Sequence, residues 1–321
     1  MAVALPAAIF CVCLLSACGG AAGSAQSLLA DTFSGHTQIE SGNVNLSLAL
    51  GASGSSASTK QLAVTLSGPF QSAGAGKLPR FALQLQLSSA GHPLSAGATS
   101  TGSALFVELA GTWFSTPQSA YTALEQGYAQ ATKTASTAKV RSTFSSLGIE
   151  PGRWLSNPTR VGTSTIAGVQ TVHLTASINT SAFLADVSKL SQAGGGLALG
   201  SVPGAGSGAA LSPSVITELG NSIKSTHVDL YTGQSDHLLR RLEVNATVSG
   251  TPRTQALLGG LSSAALKVTL EFSELNKPQT IAAPSNPQPP SRLLPALQQL
   301  VSLLQGAGAG SGGGLEPLVK G

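Results

Sequence analysis

Asn43-Val44-Asn45-Leu46-Ser47-Leu48-Ala49-Leu50 is the stretch whose reading decides the fold. Its apolar side chains fall on every second position, and small or polar residues fill the gaps. In an extended chain successive side chains point to opposite faces, so this pattern makes one apolar and one wetted face. The pattern returns at Leu62-Ala-Val64-Thr-Leu66-Ser67 and at Phe81-Ala-Leu83-Gln-Leu85-Gln-Leu87-Ser88. Clean alternation of this kind belongs to antiparallel sheets with one side on a core. Residues 93–100 and 103–109 read as two more strands joined by a turn near Gly102, which completes a five-strand meander.

Further along, the period changes. Tyr121, Leu124 and Tyr128 lie on one helical stripe within 117–134, with Pro117 near its start. Residues 142–156 read as irregular or helical. Strands resume over Thr159–Ile166, turn at Gly168, and continue over Val169–Ile178, where Val172, Leu174, Ala176 and Ile178 share a face. Phe183, Leu184, Val187 and Leu190 give 180–192 a helical pattern, and a short helix is expected at 213–223. Between them, 193–210 is a Gly/Ala-rich insertion with the composition of a mobile loop. Three strands close the domain: Thr226–Tyr231, Leu238–Val248 and Ala264–Ser273. A short helix over 27–34, stopped at Gly35, precedes the first strand. The expected fold is α+β: a strongly curved antiparallel sheet, a half-open β-barrel, with helices on one face enclosing an apolar cavity.

Both ends of the chain differ from this body. Residues 1–17 are almost wholly apolar or small, a length that suits a signal peptide and falls short of the ~20 apolar residues of a membrane-spanning helix. They end in Leu15-Ser16-Ala17-Cys18-Gly19-Gly20, which resembles the lipobox of bacterial lipoproteins. That resemblance implies cleavage between Ala17 and Cys18 and diacylglyceryl attachment to the Cys18 thiol. A Cys ending an ordinary signal sequence or a buried anchor helix is the other reading of the same residues. No Lys or Arg precedes the apolar run, and a start codon further upstream would supply that charge. Residues 18–26 would form a lipidated tether, 27–278 the domain, and 279–321 a Pro/Gly-rich tail. In the tail, 284–290 reads as an extended linker. An apolar helix over 291–304 carries Leu293, Leu297, Leu300 and Leu304 on one stripe, to pack on the domain or to meet a membrane or partner.

Composition narrows the chemistry. The three Cys are Cys11, Cys13 and Cys18, so a chain cleaved before Cys18 has no thiol free for a disulfide or metal site. The net charge of +4 is spread thinly and aromatic residues are 4% of the chain, which leaves no footprint for nucleic acid. The five His (His36, His92, His173, His227, His237) lack metal spacing, and His173 and His227 alternate with apolar neighbours, as on an outer strand face. Gly233-Gln-Ser235-Asp-His237 lacks the closing Gly of a nucleophile elbow and sits between two strands, so it reads as a hairpin turn. Ser136-Thr-Ala-Lys139 has no Lys-Thr-Gly or Ser-Asp-Asn partner, and the Gly-rich runs at 204–208 and 306–314 lack the Lys-Ser/Thr ending of a phosphate loop. Neither an enzyme nor a cofactor is expected.

Four stretches carry a family resemblance: Leu105-Phe-Val-Glu-Leu-Ala-Gly-Thr-Trp113-Phe114; Trp154 through Gly168 to His173; Val228-Asp229-Leu-Tyr231; and Leu239-Arg-Arg-Leu-Glu-Val244. In this order, behind a lipobox, they resemble the LppX/LprG-type lipoproteins of actinobacterial envelopes, which share the LolA/LolB-like fold. The resemblance implies a half-open barrel around an apolar cavity that binds lipid or lipoglycan acyl chains and carries or presents them in the envelope. It implies lipid anchoring on the extracytoplasmic face of the cell membrane. Cavity candidates are Leu46, Leu48, Leu66, Phe81, Leu83, Leu85, Val172, Leu174, Val228 and Leu230, although an ordinary core shows the same alternation. The alternative within the same fold is a non-catalytic envelope adaptor or structural lipoprotein, whose protein partner binds the tail.

If Cys18 is the lipid site, Cys18→Ser will abolish incorporation of radiolabelled palmitate and move the protein from the membrane to the soluble fraction. Undiminished labelling would place any lipid elsewhere.

Overall fold

The computed structural model describes residues 24–34, 37–53, 61–89, 92–137, 151–183, 185–186, 221–249 and 263–299. The signal segment, Cys18, the 193–210 insertion and the chain from residue 300 lie outside them, as does most of the helix expected at 213–223.

Eleven strands form one sheet. They are β1 (Ser41–Ser53), β2 (Gln61–Gln71), β3 (Arg80–Ser89), β4 (His92–Ser100), β5 (Leu105–Leu109), β6 (Thr112–Ser115), β7 (Leu155–Ile166), β8 (Val169–Ile178), β9 (Ile223–Gly233), β10 (Leu239–Ser249) and β11 (Ser263–Ser273). Their order is β6-β5-β4-β3-β2-β1-β11-β10-β9-β8-β7, antiparallel throughout, and the sheet does not close on itself. The first strand therefore pairs with the last at the centre, and two meanders run outward from that seam. The helices among the described residues are α1 (Ala25–Phe33), α2 (Gln118–Thr137) and α3 (Pro151–Trp154), with further helical residues at 180–183, 185–186, 221–222 and 293–299.

The meander has six strands where the sequence predicts five. The sixth, β6, follows a two-residue turn at Ala110-Gly111, with φ of 48° and 84°. The β7–β8 hairpin turns in the same way at Ala167-Gly168, with φ of 47° and 79°. A two-residue hairpin that matches strand twist needs positive φ at both positions, which Gly provides without strain and Ala tolerates less readily. Neither turn carries the Asn-Gly or Asp-Gly that advertises this geometry.

α1 begins at Ser24, whose hydroxyl accepts a hydrogen bond from the Ser27 amide at 3.1 Å. It lays Leu28 and Leu29 on the apolar face of the sheet, where they join Leu155, Val172, Leu174, Val228, Leu230, Leu239 and Phe272 in the buried core. Two polar contacts fix its far end. Thr32 meets the Thr232 hydroxyl at 2.9 Å, and Asp31 lies 3.4 Å from His237 Nδ1. α2 runs beside β5, with Tyr121 buried and Leu124 and Tyr128 half-buried on the expected stripe.

The chain after β11 does not leave the sheet. The Gln279 side chain accepts from Asn43 Nδ2 at 3.1 Å, and the Gln279 backbone N–H donates to Gln71 Oε1 at 2.9 Å. Arg80 donates to the Ile281 carbonyl at 3.1 Å, and Ile281 is buried. Asn43, Gln71 and Arg80 lie on the face opposite the α1 core, since Val44 and Phe70, their neighbours in sequence, pack against that core. The segment thus crosses the outer face of β1, β2 and β3 as a strap. At Gln288 it joins the outer edge of β6, donating to the Trp113 carbonyl at 2.8 Å and accepting from the Ser115 amide at 2.9 Å. The stretch 284–290, expected as an extended linker, includes this docked portion.

Gly68 and Pro69 sit where the β2–β3 ladder lapses, between the pairs Ser67↔Gln84 and Phe70↔Phe81. Gly68 has φ 146°, and a Cβ there would overlap the Ala82 carbonyl oxygen of β3. We expect Gly68→Ala to lower unfolding stability by about 1–3 kcal/mol through this overlap, seen as a reduced urea midpoint. An unchanged midpoint would show that β3 shifts without cost.

Candidate functional site

The register assembles the alternating residues into rows. One row runs Leu109–Ala96–Leu85–Leu66–Leu46–Leu270–Leu242–Leu230–Leu174, a continuous apolar line from β5 to β8. A second runs Leu94–Leu87–Val64–Leu48–Val268–Val244–Val228–Ala176 beside it. Directly opposed side chains on antiparallel strands lie within contact range, so each row is a packed strip and not a scatter of hydrophobes.

The rows are covered unequally. At the β8–β9 end, Val172, Leu174, Val228 and Leu230 are 0–3% exposed beneath α1 and belong to the packed core. Across β1–β3, Leu46, Leu48, Leu66, Phe81 and Leu83 are only half-buried, and Leu85 is 38% exposed. Phe81 pairs with Phe70, which meets Phe272 edge to face at 6.5 Å. The ten residues predicted from sequence therefore share one face but divide into a filled half and a half-open half. Burial alone separates the two groups, and no alternation pattern carries that signal.

The outer face is polar and ordered in rows of charge. His173 Nε2 and His227 Nε2 approach the two oxygens of Asp229 at 2.7 and 3.2 Å. The His173 ring stacks on Tyr231, with centroids 4.4 Å apart and planes 9° from parallel. Arg241 lies over the other side of Tyr231 and donates to Glu271 Oε2 through Nε at 2.8 Å and Nη2 at 2.6 Å. Burial pushes the Tyr231 phenol above its usual range, Asp229 and Glu243 push it further, and Arg241 opposes them. Apart from His227 and Asp229, which share β9, these are cross-strand pairs on a wetted face, worth tenths of a kcal/mol to about 1 kcal/mol each.

Among the described residues, no group of three or more His, Cys, Asp or Glu could hold a metal ion. Gly233 to His237 form the turn between β9 and β10, closed by the Gly233 amide on the Leu238 carbonyl at 2.8 Å. Asp236 there pairs with Arg240 and accepts from the Leu238 amide. Ser235 is therefore part of a hairpin tip and not of a strand-to-helix elbow. Ser136 lies in α2, while Lys139, Ala17 and Cys18 lie outside the described residues. Among the described helices none is long and apolar enough to cross a membrane.

No protein-family model matches this sequence, and no curated protein matches it. Solved structures do match. LprF from Mycobacterium bovis aligns over 82% of this chain and 99% of its own, with 12% identity and a TM-score of 0.39. The lipoprotein LppX from Mycobacterium tuberculosis aligns over 80% and 98%, with 14% identity and a TM-score of 0.32. A LolA superfamily protein from Nitrosomonas europaea aligns over 81% and 96%, with 11% identity and a TM-score of 0.19. These neighbours include the lipoprotein group that the sequence resembles.

The unequal cover makes a direct prediction. Leu230→Ala should cost about 2–5 kcal/mol, as for a filled core site, whereas Leu85→Ala should cost about 1 kcal/mol or less because its side chain already meets solvent. Urea unfolding of both variants measures the contrast, and equal losses would mean that both halves of the face are packed alike.

Proposed function

We propose that this chain is an exported lipoprotein, anchored through Cys18 at the extracytoplasmic face of the cell membrane, that binds lipid acyl chains and carries or presents them in the envelope. The binding site is the half-open apolar face of β1–β3. One observation carries this reading: an apolar row that is sealed under α1 at Leu174 and Leu230 continues without a break to half-exposed side chains at Leu46, Leu66 and Leu85.

The physical logic is simple. A folded protein gains nothing by leaving rows of Leu and Val partly open to water, so a half-exposed apolar strip favours a place where something apolar binds. An acyl chain asks for no polar partner. Each buried methylene contributes about 0.8 kcal/mol, so ten of them supply about 8 kcal/mol before the cost of immobilising the ligand. The sealed half then serves as a rigid floor, and exchange of lipid takes place over the open half.

Native mass spectrometry of the unacylated mature chain tests this. Purified protein should carry co-purifying lipid, and Leu85→Glu should reduce its occupancy at least tenfold while leaving the melting temperature within a few degrees. A protein that emerges free of lipid, and takes up none from fatty acid or phospholipid supplied in excess, would overturn the proposal.

A further inference from the structure

The outer face holds a concavity that the apolar reading does not use. At one end of β1, β11, β10 and β9 a depression of ≈ 440 Å³ indents the sheet, a size within the ordinary range for small-molecule sites. The register explains its shape. Lys267, Asn245 and His227 stand side by side on adjacent strands, Lys267 paired with Asn245 and Asn245 with His227. Two residues further along each strand the side chains shrink: Gly51 pairs with Ala265, Ala265 with Thr247, and Thr247 with Ser225. The small row is the floor, and the longer side chains of the first row are its wall.

The charge of this wall is one-sided. None of the residues lining the depression is acidic. On the neighbouring stretch of this face Arg241 pairs with Glu271 and Glu243, and Asp229 is taken up by His173. Lys267 has no such carboxylate among the described residues, and neither the Asn245 amide nor the Thr247 and Ser225 hydroxyls have a side-chain hydrogen bond there. His227 is anchored at one edge by Asp229 and lies 60% exposed, its ring against the depression. An ammonium, an amide, an imidazole and two hydroxyls thus border a recess whose floor is built of small side chains. The complementary ligand is a compact oxyanion that bears hydroxyls.

We propose that this depression is a second binding site, on the opposite side of the sheet from the apolar face, for a phosphate-bearing polar group. Lys267 supplies the charge-assisted contact. Asn245 donates beside it through its amide, and the hydroxyl part of the ligand rests on the Ala265, Thr247 and Ser225 floor, where the free nitrogen of the His227 ring can accept from a ligand hydroxyl. The same chemistry is offered by a free sugar or glycerol phosphate and by the headgroup of an anionic membrane lipid.

Calorimetric titration of the full chain with inorganic phosphate and with glycerol 3-phosphate tests the first source. Co-flotation with phosphatidylcholine vesicles, with and without phosphatidylglycerol, tests the second. In either arm Lys267→Ala should weaken binding at least tenfold. Ala265→Phe, which fills the floor at an exposed position, should do the same while the melting temperature and acyl-chain occupancy stay unchanged. Saturable binding of glycerol phosphate identifies a soluble ligand, and flotation that depends on phosphatidylglycerol and on Lys267 identifies a headgroup. Absence of binding in both arms overturns the site, as does binding that ignores both substitutions, and neither result touches the acyl-chain proposal.

Discussion

Everything in this molecule hangs on the pairing of its first strand with its last. β1 and β11 match residue for residue from Asn43↔Ser273 to Ser53↔Ser263. Because side chains alternate with a period of two, a slip of a single residue at this seam would send one meander's apolar residues to the other's polar face. The seam sets Leu46 against Leu270 and Leu48 against Val268, and through them joins two strips of hydrophobes that would otherwise be separate. It also aligns Ala49 with Lys267 on the other side, which creates the recess. The inner strip and the outer recess are two faces of one register. Such a seam joins strands at opposite ends of the chain, so it is a costly contact to form and one that makes folding slow.

The two free margins of the sheet are handled differently. At β6 the strap lies along the edge and takes up its hydrogen-bonding groups through Gln288. At β7 no covering segment is needed to disrupt the edge. Pro158 removes a donor, Asn157 adopts φ 51°, and the ladder to β8 shifts register twice within a few residues. Bulges, proline and charge on an outermost strand are the standard protections against sheet-to-sheet association. A chain with so much apolar surface on one face depends on them.

How much of this was legible in the sequence follows from which forces act locally. Strand alternation is local, so β1, β2, β3, β8 and β10 stand out from residues such as Val44, Leu46 and Leu48 alone, as does the stripe of α2 through Tyr121 and Tyr128. The β5–β6 hairpin was hidden because Ala110-Gly111 is not among the dipeptides that favour such turns. The docked portion of the strap was hidden for a better reason. Pro284 to Pro290 has the composition of a linker, and what holds the strap is Asn43, Gln71 and Arg80 from distant strands. The site divides along the same line. The membership of Leu85 and Leu230 in one apolar face was readable, but the difference in their burial was not, because α1 covers only one of them. The recess was wholly invisible, since Lys267, Asn245 and His227 are brought together by register and by nothing in their own neighbourhoods.

The strap has a mechanical side. Tension that reaches the strap at Gln288 loads that residue's two backbone bonds to β6, which lie at the margin of the sheet. Only when these part does the load pass along the chain to Ile281 and Gln279, and only after that to β11 and the central seam. The sheet is therefore guarded by a sequence of sacrificial fastenings, each yielding before the next is loaded. A pull from the tail would lengthen the molecule by a loop before it disturbed the strands that hold the core.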